Sequence, residues 1–187
     1  MNKLHTNEDI ITVLATNESF VNLLELIESK VQYPWCVFGG QLRNIIWDYI
    51  HENTQPTQSK DVDVAIFAPN DKAVESSLQN ALHSNMPAYG WDIENFAFSH
   101  IDNNDAPYSV LDDGLSKQLM TIMSIGVTLD SNGRLKLIAP LGIKDLTNCV
   151  VRPTPIVYNH PERILLITEK IEAKHWRKKW PLLQVNL

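Results

Sequence analysis

Trp35-Cys36-Val37-Phe38-Gly39-Gly40-Gln41-Leu42-Arg43-Asn44, followed after fifteen residues by Lys60-Asp61-Val62-Asp63-Val64-Ala65-Ile66-Phe67, is the stretch on which the fold turns. A glycine pair after a short apolar strand and before a helix lets backbone N–H groups approach an anion closely, at the positive end of a helix dipole. The alternation Asp-Val-Asp-Val is a strand pattern, and in a strand the side chains at i and i+2 point to the same face. Asp61 and Asp63 therefore look the same way, roughly 6–7 Å apart. Like charges held so close call for a cation, and oxygen ligands with phosphate as a co-ligand suit Mg²⁺ or Mn²⁺.

Outward from this stretch, helices and strands alternate. Phe20, Val21, Leu24, Ile27 and Val31 fall at helical spacing behind Asn17 or Ser19 as a cap, so a helical pair precedes the first strand. After the glycines, Leu42, Ile45, Ile46, Tyr49 and Ile50 mark one helix face, with Gln41, Asn44 and Asp48 opposite and Arg43 on the flank near the helix start, within reach of a phosphate. The polar residues 53–59 connect into the Asp-x-Asp strand and are placed to cover a ligand. Pro69-Asn70-Asp71 opens a helix carrying Val74, Leu78, Ala81 and Leu82.

Gly90-Trp91-Asp92-Ile93-Glu94-Asn95-Phe96 reads as a strand with Asp92 and Glu94 on one face, either of which can supply a third carboxylate. Residues 101–107 form a polar loop. Residues 121–129 are rich in β-formers, Asp130-Ser131-Asn132-Gly133 is a hairpin turn, and residues 134–139 resume alternation. Near the end, Lys170, Lys174, His175, Arg177, Lys178 and Lys179 gather positive charge opposite a stripe of Ile164, Ile167 and Ile171. They suit either a solvated helix face or a phosphate or RNA contact.

The glycine pair opening a helix, the Asp61-x-Asp63 strand and a carboxylate on a later strand resemble the nucleotidyltransferase superfamily of the DNA polymerase beta-like fold, whose signature is Gly-Gly or Gly-Ser followed by those carboxylates. The CCA-adding and poly(A) polymerase branch reads Gly-Gly-x-x-Arg-Asp, and here Asn44 stands where that branch has Asp. Most of the remaining chain is similar to a small free-standing bacterial nucleotidyltransferase-like family. The shared residues are Trp91-Asp92-Ile93-x-Asn95, Ala139-Pro140-x-Gly142-x-x-Asp145-Leu146, Val151-Arg152-Pro153-x-Pro155 and a Lys/Trp-rich tail ending Trp180-Pro181.

The resemblance implies an α/β (α+β) nucleotidyltransferase fold, a mixed β-sheet flanked by helices with a C-terminal helical tail. It implies one domain over 1–187, with a catalytic core at 34–100 and the tail at 160–187. It favours Asp92 over Glu94 as the third carboxylate. Asp61, Asp63 and Asp92 would then be the catalytic and metal-binding residues, with Gly39, Gly40, Arg43 and Lys60 binding the nucleotide. The implied reaction moves a nucleoside monophosphate from a nucleoside triphosphate to a hydroxyl on a small molecule, a protein or RNA, with Mg²⁺ or Mn²⁺ as cofactor. A catalytically silent nucleotide-binding module of the same fold is a competing expectation, as are tRNA 3′-end addition and toxin-like protein modification. Arg152 either binds phosphate or braces the tail.

Composition fits that frame. The 187 residues, 44% of them hydrophobic, suffice for one core, and no apolar run is long enough to span a membrane. A net charge of −6 disfavours duplex DNA as a partner. The two cysteines, Cys36 and Cys149, make neither a disulfide framework nor a zinc pattern, and the N-terminus lacks a signal-peptide run, so a cytoplasmic location is expected.

Overall fold

The structure is a computed structural model that describes residues 2–59 and 61–187. Helix α1, Asn7–Ala15, starts in a capping box: the Asp9 N–H donates to the Thr6 hydroxyl, and the Asp9 carboxylate accepts the Thr6 N–H in return. Helix α2, Glu18–Lys30, is capped by Asn17, which accepts the Phe20 N–H and so decides between the two expected caps. Both helices bury their apolar stripes against a five-stranded sheet.

The sheet contains β1 (Trp35–Phe38), β2 (Asp61–Ile66), β3 (Gly90–Asn95), β4 (Gly126–Leu129) and β5 (Leu135–Ile138), in the order β3-β2-β1-β4-β5. Only the β2–β3 pair is parallel, so the sheet is mixed. Helix α3, Gly40–His51, connects β1 to β2, and α4, Val74–Asn85, makes the right-length crossover between the parallel strands.

The register sorts the two faces. Trp35, Val37, Val62, Val64, Ile66, Trp91 and Ile93 point into the main core, which α1 to α4 and the C-terminal tail complete. Cys36, Phe38 and Ala65 point the other way, into a smaller cluster with Phe96, Tyr108, Leu111 and Leu115. That second layer is built by α5, Phe96–Asp102, and α6, Leu111–Ser116, with Phe38 and Phe96 meeting edge to face at 5.5 Å. Gly114 is needed there, since a Cβ would come within 2.5 Å of the Phe96 ring.

The sequence expectation missed α5 and α6, because Asn95 ends the strand and immediately caps a helix. Its carboxamide accepts the Ala68 and Ala97 N–H groups and donates to the Ala68 and Asp71 carbonyls. One buried side chain thus closes β2, β3 and the start of α5, an arrangement that local periodicity does not display. Likewise α4 begins at Val74 rather than at Pro69, with Asp71 accepting the Ala73 N–H in the intervening turn. Residues 121–123 form a 3₁₀ turn ahead of β4.

Beyond β5, α7 (Lys144–Thr147) leads into β6 (Val150–Val151). The tail follows as α8 (Pro161–Ala173), α9 (Trp176–Lys179) and β7 (Gln184–Val185), the last pairing in parallel with β6. Ile167 and Ile171 bury the α8 stripe. Among the described residues no single helix is long and apolar enough to cross a membrane.

Candidate active site

Asp61 and Asp63 emerge from the N-terminal half of β2, on the same sheet face as Ala65, beyond the part that the α5–α6 layer covers. The parallel register sets Asp63 directly opposite Asp92, and Ala65 opposite Glu94. Asp61, Asp63, Asp92 and Glu94 therefore share one side of two neighbouring strands, as the alternation predicted. Asp61 and Asp92 are exposed, whereas Asp63 and Glu94 are half-buried. Burial, reinforced by the charge of Asp92, raises the pKa of Asp63 against the lowering effect of the Gly40 N–H. Burial likewise raises that of Glu94, with Asp92, Asp63 and Glu75 adding repulsion. Burial is the leading cause at both carboxyls, and at Asp63 the positive charges of Lys170 and Arg43 offset it only in part.

The glycine turn sits against this face. Gly39 has φ +71°, a backbone that L side chains rarely adopt, and a Cβ there would lie 2.5 Å from the Asp63 Oδ2. Gly40 is different. Its N–H donates to the same oxygen at 3.1 Å, and a Cβ on it would meet nothing closer than the Ser59 Oγ at 3.3 Å. The first glycine is thus demanded by conformation and by space, the second only by a modest shortage of room. Together they bring the start of α3 onto Asp63.

Arg43 lies one turn into α3, but not on an open flank. It is 4% exposed and stacks over Trp176 at 4.2 Å, with Trp180 and Trp47 at 5.5 and 5.7 Å. Its Nη2 donates to the Asn44 Oδ1 at 2.8 Å, and its buried Nε has no hydrogen-bond partner. Burial brings its pKa down to about 10, opposed by Asp63 and Asp48. Lys60 lies outside the described residues.

Asn44 and Asp48, expected on a polar outer face of α3, are buried by the tail. Asp48 accepts the Trp180 Nε1–H, the Asn53 amide, and both the N–H and hydroxyl of Thr57. It ties the tail and the 53–59 loop to α3 in one stroke. His51 helps, donating from Nδ1 to the Trp47 carbonyl while its Nε2 accepts the Leu182 N–H. Arg152 pairs with Asp145 at 3.1 Å and braces the β6 region.

The residue that the sequence underweighted is Lys170, which appeared only as one of several tail cations. It stands half-buried on α8, close enough to Asp63, Arg43 and Lys174 to feel each of them, and burial lowers its pKa. The signal was the α8 stripe, since burying Ile167 and Ile171 turns the neighbouring positions inward. Cys36 is fully buried, and burial pushes its thiol well above the usual range, which suits a packing residue.

Among the described residues no group of three or more His, Cys, Asp or Glu side chains is placed to hold a metal ion between them. The donors fit a hard cation nonetheless: they are all carboxylate oxygens, and beyond burial the neighbouring Asp92 charge helps to raise the pKa of Asp63. Mg²⁺ commonly takes only one or two carboxylates and completes its shell with water and phosphate oxygens.

A protein-family model described as nucleotidyltransferase matches residues 29–185, and the chain belongs to that family, whose members transfer nucleotidyl groups. Among solved structures, one described as a CCA-adding enzyme head domain superposes with a TM-score of 0.84 at 24% identity, covering 99% of this chain and 98% of that one. A CCA-adding enzyme in complex with CTP matches at 0.60 and 13% identity, and one with ATP at 0.56 and 15%. This chain spans 44% and 43% of those two enzymes. At such identities the likeness shows the fold. No curated protein matches the sequence.

Proposed function

We propose that the chain moves a nucleoside monophosphate from a nucleoside triphosphate to a hydroxyl acceptor and releases pyrophosphate. The observation that carries this is the register of Asp63 opposite Asp92, directly beside the Gly39-Gly40 turn. An acceptor oxygen attacks the α-phosphorus, the bond to the β-phosphate oxygen breaks, and the hydroxyl proton leaves to a base. Asp61, Asp63 and Asp92 would hold Mg²⁺ or Mn²⁺, which when bound stabilises charge on the attacking and leaving oxygens. Asp92, exposed on the edge strand, would take the acceptor's proton. Gly39 and Gly40 offer close backbone approach to the triphosphate. In this reading residues 34–100 are the catalytic core, and residues 160–187 are the tail that walls the site. Lys60 is assigned to the nucleotide on sequence grounds alone.

Retention of the acidic set speaks for catalysis over a silent module, because like charges are costly to keep unless a cation uses them. An RNA 3′ hydroxyl is the second reading for the acceptor, supported by the extent of the match to the CCA-adding head domain. The test is pyrophosphate release from each of the four nucleoside triphosphates with Mg²⁺ or Mn²⁺ and candidate acceptors. Metal-dependent release by the wild type, lost in Asp61→Ala/Asp63→Ala, supports the reading. Release unaffected by that double substitution contradicts it.

A further inference from the structure

Between the first turn of α3, the 57–59 segment and the α8–α9 junction lies a cavity of about 380 Å³. Its charged lining is lopsided. Arg43, Lys174 and Lys179 contribute cations and His175 a titratable ring, against the single carboxylate of Asp61, through which the cavity shares a wall with the acidic face. Lys170 stands beside this group: burial disfavours its charge most, Lys174 and Arg43 add to that, and Asp63 opposes it. Like charges gathered at one place cost energy unless an anion joins them.

Arg43 supplies the second line of argument. A guanidinium has five N–H donors, and a buried one ordinarily finds acceptors for them. Here the ring faces of Trp47, Trp176 and Trp180 satisfy its charge but not its hydrogen bonds, and Nε is left without a partner. Gln58 and Ser59 from the loop complete the wall, the Ser59 hydroxyl donating to the Asp61 carbonyl. His175 takes a left-handed backbone at φ +53° to turn the chain from α8 into α9, and that bend brings Lys174 and Lys179 to the same cavity.

We propose that this cavity is a polyphosphate pocket, built by docking of the C-terminal tail and contacted by Arg43, Lys174 and Lys179, that holds the pyrophosphate portion of the nucleotide and of the product. It gives the tail a role in gripping the leaving group, separate from the carboxylates that act on the α-phosphate. The inference rests on the transfer reading for the source of the anion, but the binding can be read without metal, nucleotide or turnover.

The test is titration of the metal-free full chain with inorganic pyrophosphate, followed by the indole N–H resonances of its five tryptophans. Trp47, Trp176 and Trp180 surround Arg43, whereas Trp35 and Trp91 pack elsewhere in the core and serve as internal references. Pyrophosphate is expected to shift the Trp176 and Trp180 signals saturably and to leave those of Trp35 and Trp91 in place. Lys174→Gln and Lys179→Gln, both surface changes that spare the fold, should each weaken binding by about tenfold. Lys178→Gln, on the same helix but outside the cavity, should stay within about twofold of the wild type. Asp61→Asn/Asp63→Asn should bind pyrophosphate at least as well as the wild type while losing transfer, whereas a wild type that binds pyrophosphate but transfers no nucleotide with Mg²⁺ or Mn²⁺ would sink the transfer reading and leave the pocket standing. Absence of saturable shifts at the cage tryptophans overturns the proposal. So does equal weakening by Lys178→Gln, or a response to a short RNA oligonucleotide where pyrophosphate gives none.

Discussion

The two ends of the site are built on opposite principles. On the β2–β3 side, four acidic residues are left under-compensated on an open sheet face, and the local chemistry is repulsive. On the tail side, a single carboxylate, Asp48, is over-satisfied by four hydrogen bonds, and a single cation, Arg43, is wrapped in three indoles. The first arrangement costs stability and is poised for a ligand; in the second Asp48 and the indoles hold the fold, with Arg43 also lining the proposed pocket. The contrast separates carboxylates kept for a ligand from the Asp48 and indole cluster kept for architecture, and the substitutions below weigh one against the other.

Trp180→Ala should be the most damaging to the fold. It empties a site that is 1% exposed, removes an edge-to-face contact at 5.0 Å with Trp47, and strips Asp48 of a donor. A loss of about 3–5 kcal/mol is expected by denaturant titration. Asp48→Ala should follow at roughly 2–4 kcal/mol, because it leaves several donors of the loop and tail unpartnered in a buried setting. Asp48→Asn should recover part of that loss.

The glycine pair offers a finer comparison. Gly39→Ala forces a Cβ onto Asp63 at a positive φ, and it should cost more than about 1 kcal/mol in stability and impair nucleotide binding severely. Gly40→Ala has only a 3.3 Å approach to a flexible serine hydroxyl to absorb, so a change below about 1 kcal/mol is expected. This asymmetry gives a physical reason for the Gly-Gly or Gly-Ser alternation of the superfamily signature: the first position is fixed by backbone and clearance, and the second tolerates a small side chain. Equal effects at the two positions would contradict it.

Much of the acidic side was legible in the sequence because it depends on short-range regularities. Strand alternation put Asp61 with Asp63 and Asp92 with Glu94, and the glycine pair announced the turn. What alternation could not supply was the register between β2 and β3, which sets Asp63 against Asp92 rather than against Glu94. The tail side was opaque for the opposite reason. Trp180 bonds to Asp48 across 132 residues, and the helix that carries Asp48 reads as amphipathic until a second layer is laid over its polar face. Arg43 illustrates the same limit: its helical position suggested reach toward solvent, and only the three-dimensional arrival of Trp176 and Trp180 buries it.

Titration should distinguish the two sides as well. The folded-state pKa of Asp63 is raised above its unfolded value, so the folded protein binds a proton that the unfolded chain releases. The resulting penalty is absent below the unfolded carboxylate value of about 3.9 and fully present above the raised folded value. Metal-free protein should therefore gain stability as pH falls through that window, until other carboxylates protonate. Glu94 should act in the same direction.

The sharpest experiment is Asp63→Asn, read two ways on the same protein. The amide can still accept the Gly40 N–H but carries no charge. At neutral pH the variant should melt at a higher temperature than the metal-free wild type, while losing Mg²⁺-dependent binding of nucleoside triphosphates. A variant that binds nucleotide with Mg²⁺ as the wild type does, or that melts at a lower temperature, would contradict the assignment of Asp63 to cation and nucleotide rather than to the fold.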